Sequence, residues 1–358
     1  MIFAYYLPQF HVIPENDQWW GSGFTEWTNV KKAKPLFPGH KQPIFPGELG
    51  FYDLTDVKVI ESQAELAKNH GVDGFVFYHY WFGYGKTLLE GPLQDFLKNR
   101  STNIQFCICW ANESWKGTWH GAGNRMLQEQ HYPGKEDYIN HFHYLLPFFR
   151  DKRYLTINEK PVFQVYVPES IPDLLCFTQV FENEAKAAGF KGIYWIGVKS
   201  SLKWVEEDTL FNGYINSNLS NINKYHKNSF SGIIRRFVFN VPFIRKLFKL
   251  PKTIYYHTVR ACLEDFGIGC SKLVFPLAIP NWDNTPRTKE AGTVYLNTSP
   301  QAFSEHLKAC LNQTKKLPKD RQLLFIKSWN EWAEGNILEP TQEYGRQYLE
   351  VIKLISNE

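Results

Sequence analysis

Along the chain, short runs of apolar, β-branched or aromatic residues alternate with longer stretches in which apolar positions recur at helical spacing. This is the pattern of βα units feeding a parallel sheet. The runs "IFAYY" from Ile2, "GFVFYHY" from Gly74, "IQFCICW" from Ile104, "PVFQVYV" from Pro161 and "IYWIGV" from Ile193 read as strands. "GYINSN" from Gly213, "KLVFPLAI" from Lys272 and "LLFIKSW" from Leu323 bring the number to eight. Helices are expected from Asp56 to His70, Gly91 to Lys98, Lys135 to Phe149, Pro172 to Ala188, Ile254 to Phe266 and Pro300 to Lys315, with a last one from Glu343 to Ile355. Gly71, Gly189 and Gly267 stand where such helices stop. Eight strands with intervening helices predict a (β/α)8 barrel rather than a doubly wound sheet, because no glycine-rich phosphate turn follows the first strand. The "GYGK" cluster at Gly83 lacks nucleotide-loop spacing and reads as a turn.

Two segments interrupt the plan. A long loop from Trp19 to Gly50 follows the first strand and is rich in Gly, Pro and aromatic residues; loops of that length inside a domain are usually functional. The second segment, Leu219 to Tyr255, carries Lys224, Lys227, Arg235, Arg236, Arg245, Lys246, Lys249 and Lys252 and no acid. Removing its +8 from the formal net charge of +4 leaves −4 on the rest of the chain, so the basic character is local. Residues 1–358 are thus read as one barrel domain with a basic insertion at 219–255.

A composition of 43% hydrophobic and 21% charged residues fits a chain able to bury a large core. The 16% aromatic content fits either a core or a cleft that stacks on rings. The six cysteines, mostly inside apolar runs, read as reduced and mostly buried thiols, and no Cys/His spacing suggests zinc. The "HFH" at His141 falls on an outer helix, so no metal or cofactor is expected. No nucleic acid is expected as a partner. The start "MIFAYYLPQF" has no basic n-region or cleavage site, and no run is long enough to span a bilayer, so a cytoplasmic location is expected.

Barrel active sites lie at the C-terminal strand ends. There the sequence puts Gln9 and His11 after the first strand, and Tyr78, His79, Tyr80 and Trp81 at the end of the second. "WANESW" follows, with Trp110, Asn112, Glu113 and Trp115; then come Tyr166, "NWDNTPR" with Trp282, Asp283 and Arg287, and "SWNEWAEGN" with Trp329, Asn330, Glu331 and Glu334. Breaking or making a glycosidic bond needs one carboxyl to protonate the leaving oxygen and another to act as base or nucleophile, beside aromatic faces that hold the rings. Glu331 and Glu334, three residues apart, are neighbours about 5–6 Å apart at Cβ in a helical turn. Two glutamates that merely complement a helix dipole would look the same locally. Glu26 and Glu113 are further carboxylate candidates, and alternation does not settle which of Tyr78, His79 and Tyr80 faces inward. Trp81, Trp110, Trp115 and Trp329 are the aromatic faces expected to meet sugar rings.

The stretches "YYLPQFHVIPENDQWWGSGFTEWTNVKKAKPLFPGHKQP", "DGFVFYHYWF", "CWANESW" and "SWNEWAEGN" resemble the WbsX family, from residue 1 to about 345. That family in turn is similar to glycoside hydrolase family 99, the (β/α)8 endo-α-mannosidases and endo-α-mannanases. Their Glu-Trp-His-Glu-Gly motif aligns with "EWAEG", Ala333 standing where they have histidine. The resemblance implies that Glu331 deprotonates the sugar 2-hydroxyl, which attacks C1 to give a 1,2-anhydro intermediate, while Glu334 is acid and then base. The expected activity is that of a retaining endo-type glycoside hydrolase or transglycosidase on a bacterial poly- or oligosaccharide. The alternatives are a glycosyltransferase of O-antigen or capsular polysaccharide biosynthesis acting on lipid-linked glycan, and a non-catalytic glycan-binding protein. "IIRRFVFNVPFIRKLFKL" adds the expectation of peripheral contact with an anionic membrane, through two short amphipathic pieces separated by proline.

Overall fold

The computed structural model describes residues 1–117, 125–199, 201–215, 242–265 and 271–356. All eight expected strands are present as parallel neighbours: β1 (Ile2–Tyr6), β2 (Gly74–Trp81), β3 (Gln105–Trp110), β4 (Lys160–Val165), β5 (Tyr194–Gly197), β6 (Gly213–Ile215), β7 (Val274–Phe275 with Leu277–Ala278) and β8 (Leu324–Ile326). The ring closes through β7. Val274–Phe275 pair with β6, Leu277–Ala278 pair with β8, and Pro276 stands between. Proline has no N–H to donate, so the strand changes neighbour where it could not extend the first ladder; the Pro276 carbonyl accepts from Phe325 N at 3.0 Å. The fold is therefore a (β/α)8 barrel.

Much of the aromatic excess fills this barrel. Phe3, Tyr5 and Phe275 each pack on Phe325 within it, and Tyr5 OH donates to the buried Gln164 at 2.7 Å. Gly74 is required there, since a Cβ would lie 2.2 Å from the Phe3 ring. The surrounding helices run Val57–Asn69, Gly91–Lys98, Lys135–Phe149, Leu174–Ala187, Tyr256–Asp265, Pro300–Thr314 and Gln347–Ser356, each overlapping its expected range. Gly71 and Gly189 adopt φ of +82° and +96° just past two of them, as helix-stopping glycines do. Gly267 lies outside the described residues. A short helix at Leu202–Glu207, capped by Ser201, was not expected; six residues are too few for periodicity to register.

The loop after β1 is more ordered than its composition suggests, because Pro14–Trp20 and Glu26–Lys32 are helical. Proline at the first turn suits the former, and a Thr25/Thr28 capping box starts the latter. Of the basic insertion, residues 219–241 lie outside the described residues. Its remainder forms a helix, Pro242–Phe248, and a strand, Lys252–Tyr255, that pairs in parallel with Thr293–Leu296. Cys107, Cys109, Cys262 and Cys310 are buried free thiols and Cys176 is half-buried; Cys270 lies outside the described residues.

Candidate active site

A cavity of about 250 Å³ opens at the C-terminal ends of the strands. Of the residues singled out from the sequence, Gln9, Tyr78, Tyr80, Glu113, Trp115, Tyr166, Trp282, Arg287, Glu331 and Glu334 line it. Strand alternation decides β2: Tyr78 and Tyr80 face the cavity, while His79 and Trp81 face the helix Lys135–Phe149. His79 Nε2 lies 3.0 Å from His141 Nε2, and Trp81 Nε1 donates to Asp137 Oδ2 at 2.9 Å. Burial pushes the His79 imidazole down to about 3, so it is neutral and part of the packing.

Other expected residues brace the rim rather than line it. Trp110 packs on Phe177 and His141 and donates Nε1–H to the Trp81 carbonyl at 2.9 Å. Asn112 ties two loops together, its amide donating to the Val167 carbonyl and accepting from Val167 N, both at 2.8 Å. Asn330 does the same for Leu7, accepting from its N–H at 2.8 Å and donating to its carbonyl at 3.1 Å. His11 is buried away from the cavity wall, and burial lowers its basicity.

Trp329, expected to meet sugar, and Trp332 are both buried for another reason. Their indole N–H groups donate to the two oxygens of Glu339, at 2.9 and 2.7 Å, and Gln63 and Tyr52 complete four donors at 2.6 and 2.9 Å. Burial lifts this carboxyl to about 7 in spite of the donors. The cluster anchors the segment that carries Glu331. Glu339→Ala would leave four buried donors without an acceptor, and an unfolding free energy lower by at least about 3 kcal/mol is expected in urea titration. A loss within error of zero would mean that the cluster does not hold the segment.

Glu331 ends the short strand Asn330–Glu331 and precedes the 3-10 turn Trp332–Glu334, rather than lying in an α-helix, and the two carboxyls interact side chain to side chain. Gly335 ends the turn at φ +68°, where a Cβ would meet Asp283 N at 2.9 Å. Two cations divide the pair unequally. Arg287 donates to Glu334 Oε1 at 2.5 Å and to Glu26 Oε1 at 2.9 Å, whereas Lys327 Nζ lies 3.9 Å from Oε2 of each glutamate. Burial and the neighbouring Glu334 charge push Glu331 up to about 8. Burial would also raise Glu334, but Arg287 and Lys327 outweigh it and hold that carboxyl below its ordinary range. The resting pair therefore keeps its proton on Glu331 and its negative charge on Glu334.

The sequence reading missed Lys199 and Lys327, which line the cavity with Asn16, Trp20, Asn284 and Thr288. Lys199 pairs with Glu113 at 3.0 Å, and Lys327 lies 4.9 Å from the Trp282 ring centre. Each lysine follows an apolar strand run directly, which was the available signal.

Comparison with known proteins agrees with this geometry. The chain is 34% identical over 357 residues to the uncharacterized protein WxcX of Xanthomonas campestris pv. campestris in two strains, B100 and ATCC 33913. The match covers 98% of this chain and 49% of the relative, so the chain spans about half the length of the curated relatives it matches. Among solved structures, a GH99 endo-alpha-mannosidase from Bacteroides thetaiotaomicron superimposes with a TM-score of 0.56 at 14% identity, covering 99% of this chain and 96% of that one. A glycoside hydrolase-like protein gives 0.60 at 13%, covering 99% and 92%. At such identities the likeness carries the fold alone. Fold and cavity together define a (β/α)8-barrel protein with a carboxylate pair at the C-terminal strand ends. Residues 2–352 match the family described as Glycosyltransferase WbsX, and the chain belongs to that family.

Proposed function

We propose that this chain is a retaining glycoside hydrolase or transglycosidase that cleaves within a glycan and uses the substrate's own 2-hydroxyl as nucleophile. The observation that carries the reading is the unequally charged pair Glu331 and Glu334 on the cavity wall. Carboxyls that straddle a glycosidic bond in retaining double displacement stand about 5–5.5 Å apart, and inverting pairs stand further apart. Glu331 and Glu334 are instead neighbours at one short turn, which suits two proton-transfer roles with the substrate hydroxyl as the nucleophile.

The charge distribution favours the reverse of the division of labour that the resemblance implies. Glu334, ionised beside Arg287, takes the proton from O2 as O2 attacks C1. The bond from C1 to the leaving oxygen breaks, and Glu331 gives that oxygen its proton. In the second step the Glu331 carboxylate takes a proton from water or an acceptor hydroxyl, whose oxygen attacks C1. The bond from C1 to O2 opens and Glu334 returns the proton to O2. Two inversions leave the anomeric configuration retained.

The experiment is product analysis on a panel of bacterial polysaccharides with the anomer read by NMR at early times. Retained products from internal cleavage are expected; inverted products, or turnover that requires a nucleotide-sugar donor, would overturn the reading. The family description favours the second reading, transfer to a glycan acceptor, which the same site performs when a hydroxyl replaces water.

Trp115 and Trp282 then supply the ring-stacking faces. Trp282→Ala is expected to raise KM about 3- to 10-fold with little change in kcat, as loss of one aromatic contact would. Trp110→Phe is expected to leave KM unchanged. Equal KM effects at the two positions would remove Trp282 from the binding surface.

A further inference from the structure

The described part of the basic insertion places an apolar surface in the open. On the helix Pro242–Phe248, Phe243, Leu247 and Phe248 are 75%, 65% and 64% exposed, far above the usual burial of such side chains. Phe243 and Leu247 are four residues apart and share a face, with Phe248 adjoining it. Arg245, Lys246, Lys249 and Lys252 are interspersed with them, and no acid occurs from Phe243 to Tyr255. The Arg245 guanidinium folds back on the Leu250 carbonyl at 3.3 Å, while Lys249 and Lys252 are exposed. Among the described residues no helix is long and apolar enough to cross a membrane.

The segment leaves the barrel after β6, so it belongs to the C-terminal face that also carries the cavity. It is tied to the cavity through the backbone. Lys252–Tyr255 pair with Thr293–Leu296, and within that second strand Tyr295 N donates to the Trp282 carbonyl at 2.8 Å while Val294 bridges Asp283. Three residues separate Phe248 from Lys252, so the exposed face stands one ribbon away from the loop that presents Trp282 and Arg287.

We propose that this face docks the enzyme on an anionic lipid bilayer, with Phe243, Leu247 and Phe248 entering the headgroup boundary and the cations meeting phosphate, and that the active site thereby works on glycan held at that surface by a lipid anchor. The second part rests on the glycan-cleaving or glycan-transferring function proposed above; the first does not. Charge selects the occupant. Apolar residues laced with cations and free of acids match an anionic interface. A second copy seated on the same face would set these cations against themselves, since a twofold contact pairs a patch with its own kind.

The test is sedimentation of the full chain with vesicles of phosphatidylcholine alone or with about one third phosphatidylglycerol. Binding to the anionic vesicles at least about tenfold above the neutral ones, weakened by high salt, is expected. Phe243→Ser with Leu247→Ser and Phe248→Ser should lower that binding about tenfold. These side chains are exposed, so the melting temperature should not move. No binding to anionic vesicles, equal binding to neutral ones, or undiminished binding by the triple variant overturns the docking. A dimer that the triple variant dissociates overturns it as well.

Turnover separates the two parts. The variant should lose rate on glycan carried in vesicles and keep its rate on the free oligosaccharide. Equal rates of variant and wild type on vesicle-borne glycan overturn the lipid-anchored substrate. Vesicle binding without turnover of any glycan overturns the proposed function and leaves the docking standing.

Discussion

Glu331→Gln is expected to lose about 10²–10⁴ in turnover on natural glycans, and on an aryl glycoside whose leaving group needs no proton to recover most of the rate of aryl release, read as a burst, while the second step still lacks its base. Glu334→Gln should lose a similar factor on both, because deprotonation of O2 is required whatever departs. This asymmetry follows from Arg287, which contacts Glu334 at 2.5 Å, whereas Lys327 lies equally far from both glutamates. The pH profile offers an independent reading. A donor carboxyl at about 8 loses its proton above that value, so activity should fall as pH rises through about 8. It should fall on the acid side only below the ordinary carboxylate range, when Glu334 protonates. If the aryl substrate instead rescues Glu334→Gln and not Glu331→Gln, the roles are those implied by the family 99 resemblance. If it rescues neither, the first step is not limited by protonation of the leaving group.

The barrel was legible because its strands are buried on both faces and read as apolar runs. "GFVFYHYW" is buried at every position of β2. The same property hides direction, since a strand apolar on both sides carries no alternating pattern to show that Tyr78 faces the cavity and His79 the helices. The carboxylate pair was legible from its spacing and its aromatic neighbours, yet those neighbours serve Glu339 rather than the ligand. That long-range anchor involves Tyr52 and Gln63, far away in sequence, and no local pattern announces it. Lys327 was passed over because it fell inside the run "LLFIKSW", read as the last strand. In a closed barrel the same position is the rim of the site.

Arg287→Met is expected to be the most destabilising single change at the site, by about 3–5 kcal/mol at neutral pH, because it removes the cation shared by Glu26 and Glu334. Glu26 is wholly buried on the helix Glu26–Lys32, and Glu334 lies on the loop after β8; Arg287 joins them. Adding Glu26→Gln should recover part of the loss, since the second change removes one of the two carboxylates that shared the guanidinium, and a double-mutant cycle in urea measures the coupling. The sign with pH is definite. Glu334 sits below the free glutamate value of about 4.3, so its pairing contributes fully above that value and is lost as pH falls through the depressed folded value. The deficit of Arg287→Met should therefore be largest near neutrality and shrink toward acid. Catalysis should shift with it: without the guanidinium, burial raises Glu334, the pair no longer divides its proton unequally, and the acid limb of the profile moves up. A variant of near-wild-type stability, or one whose acid limb stays in place, would show that Lys327 alone sets the charge of the pair.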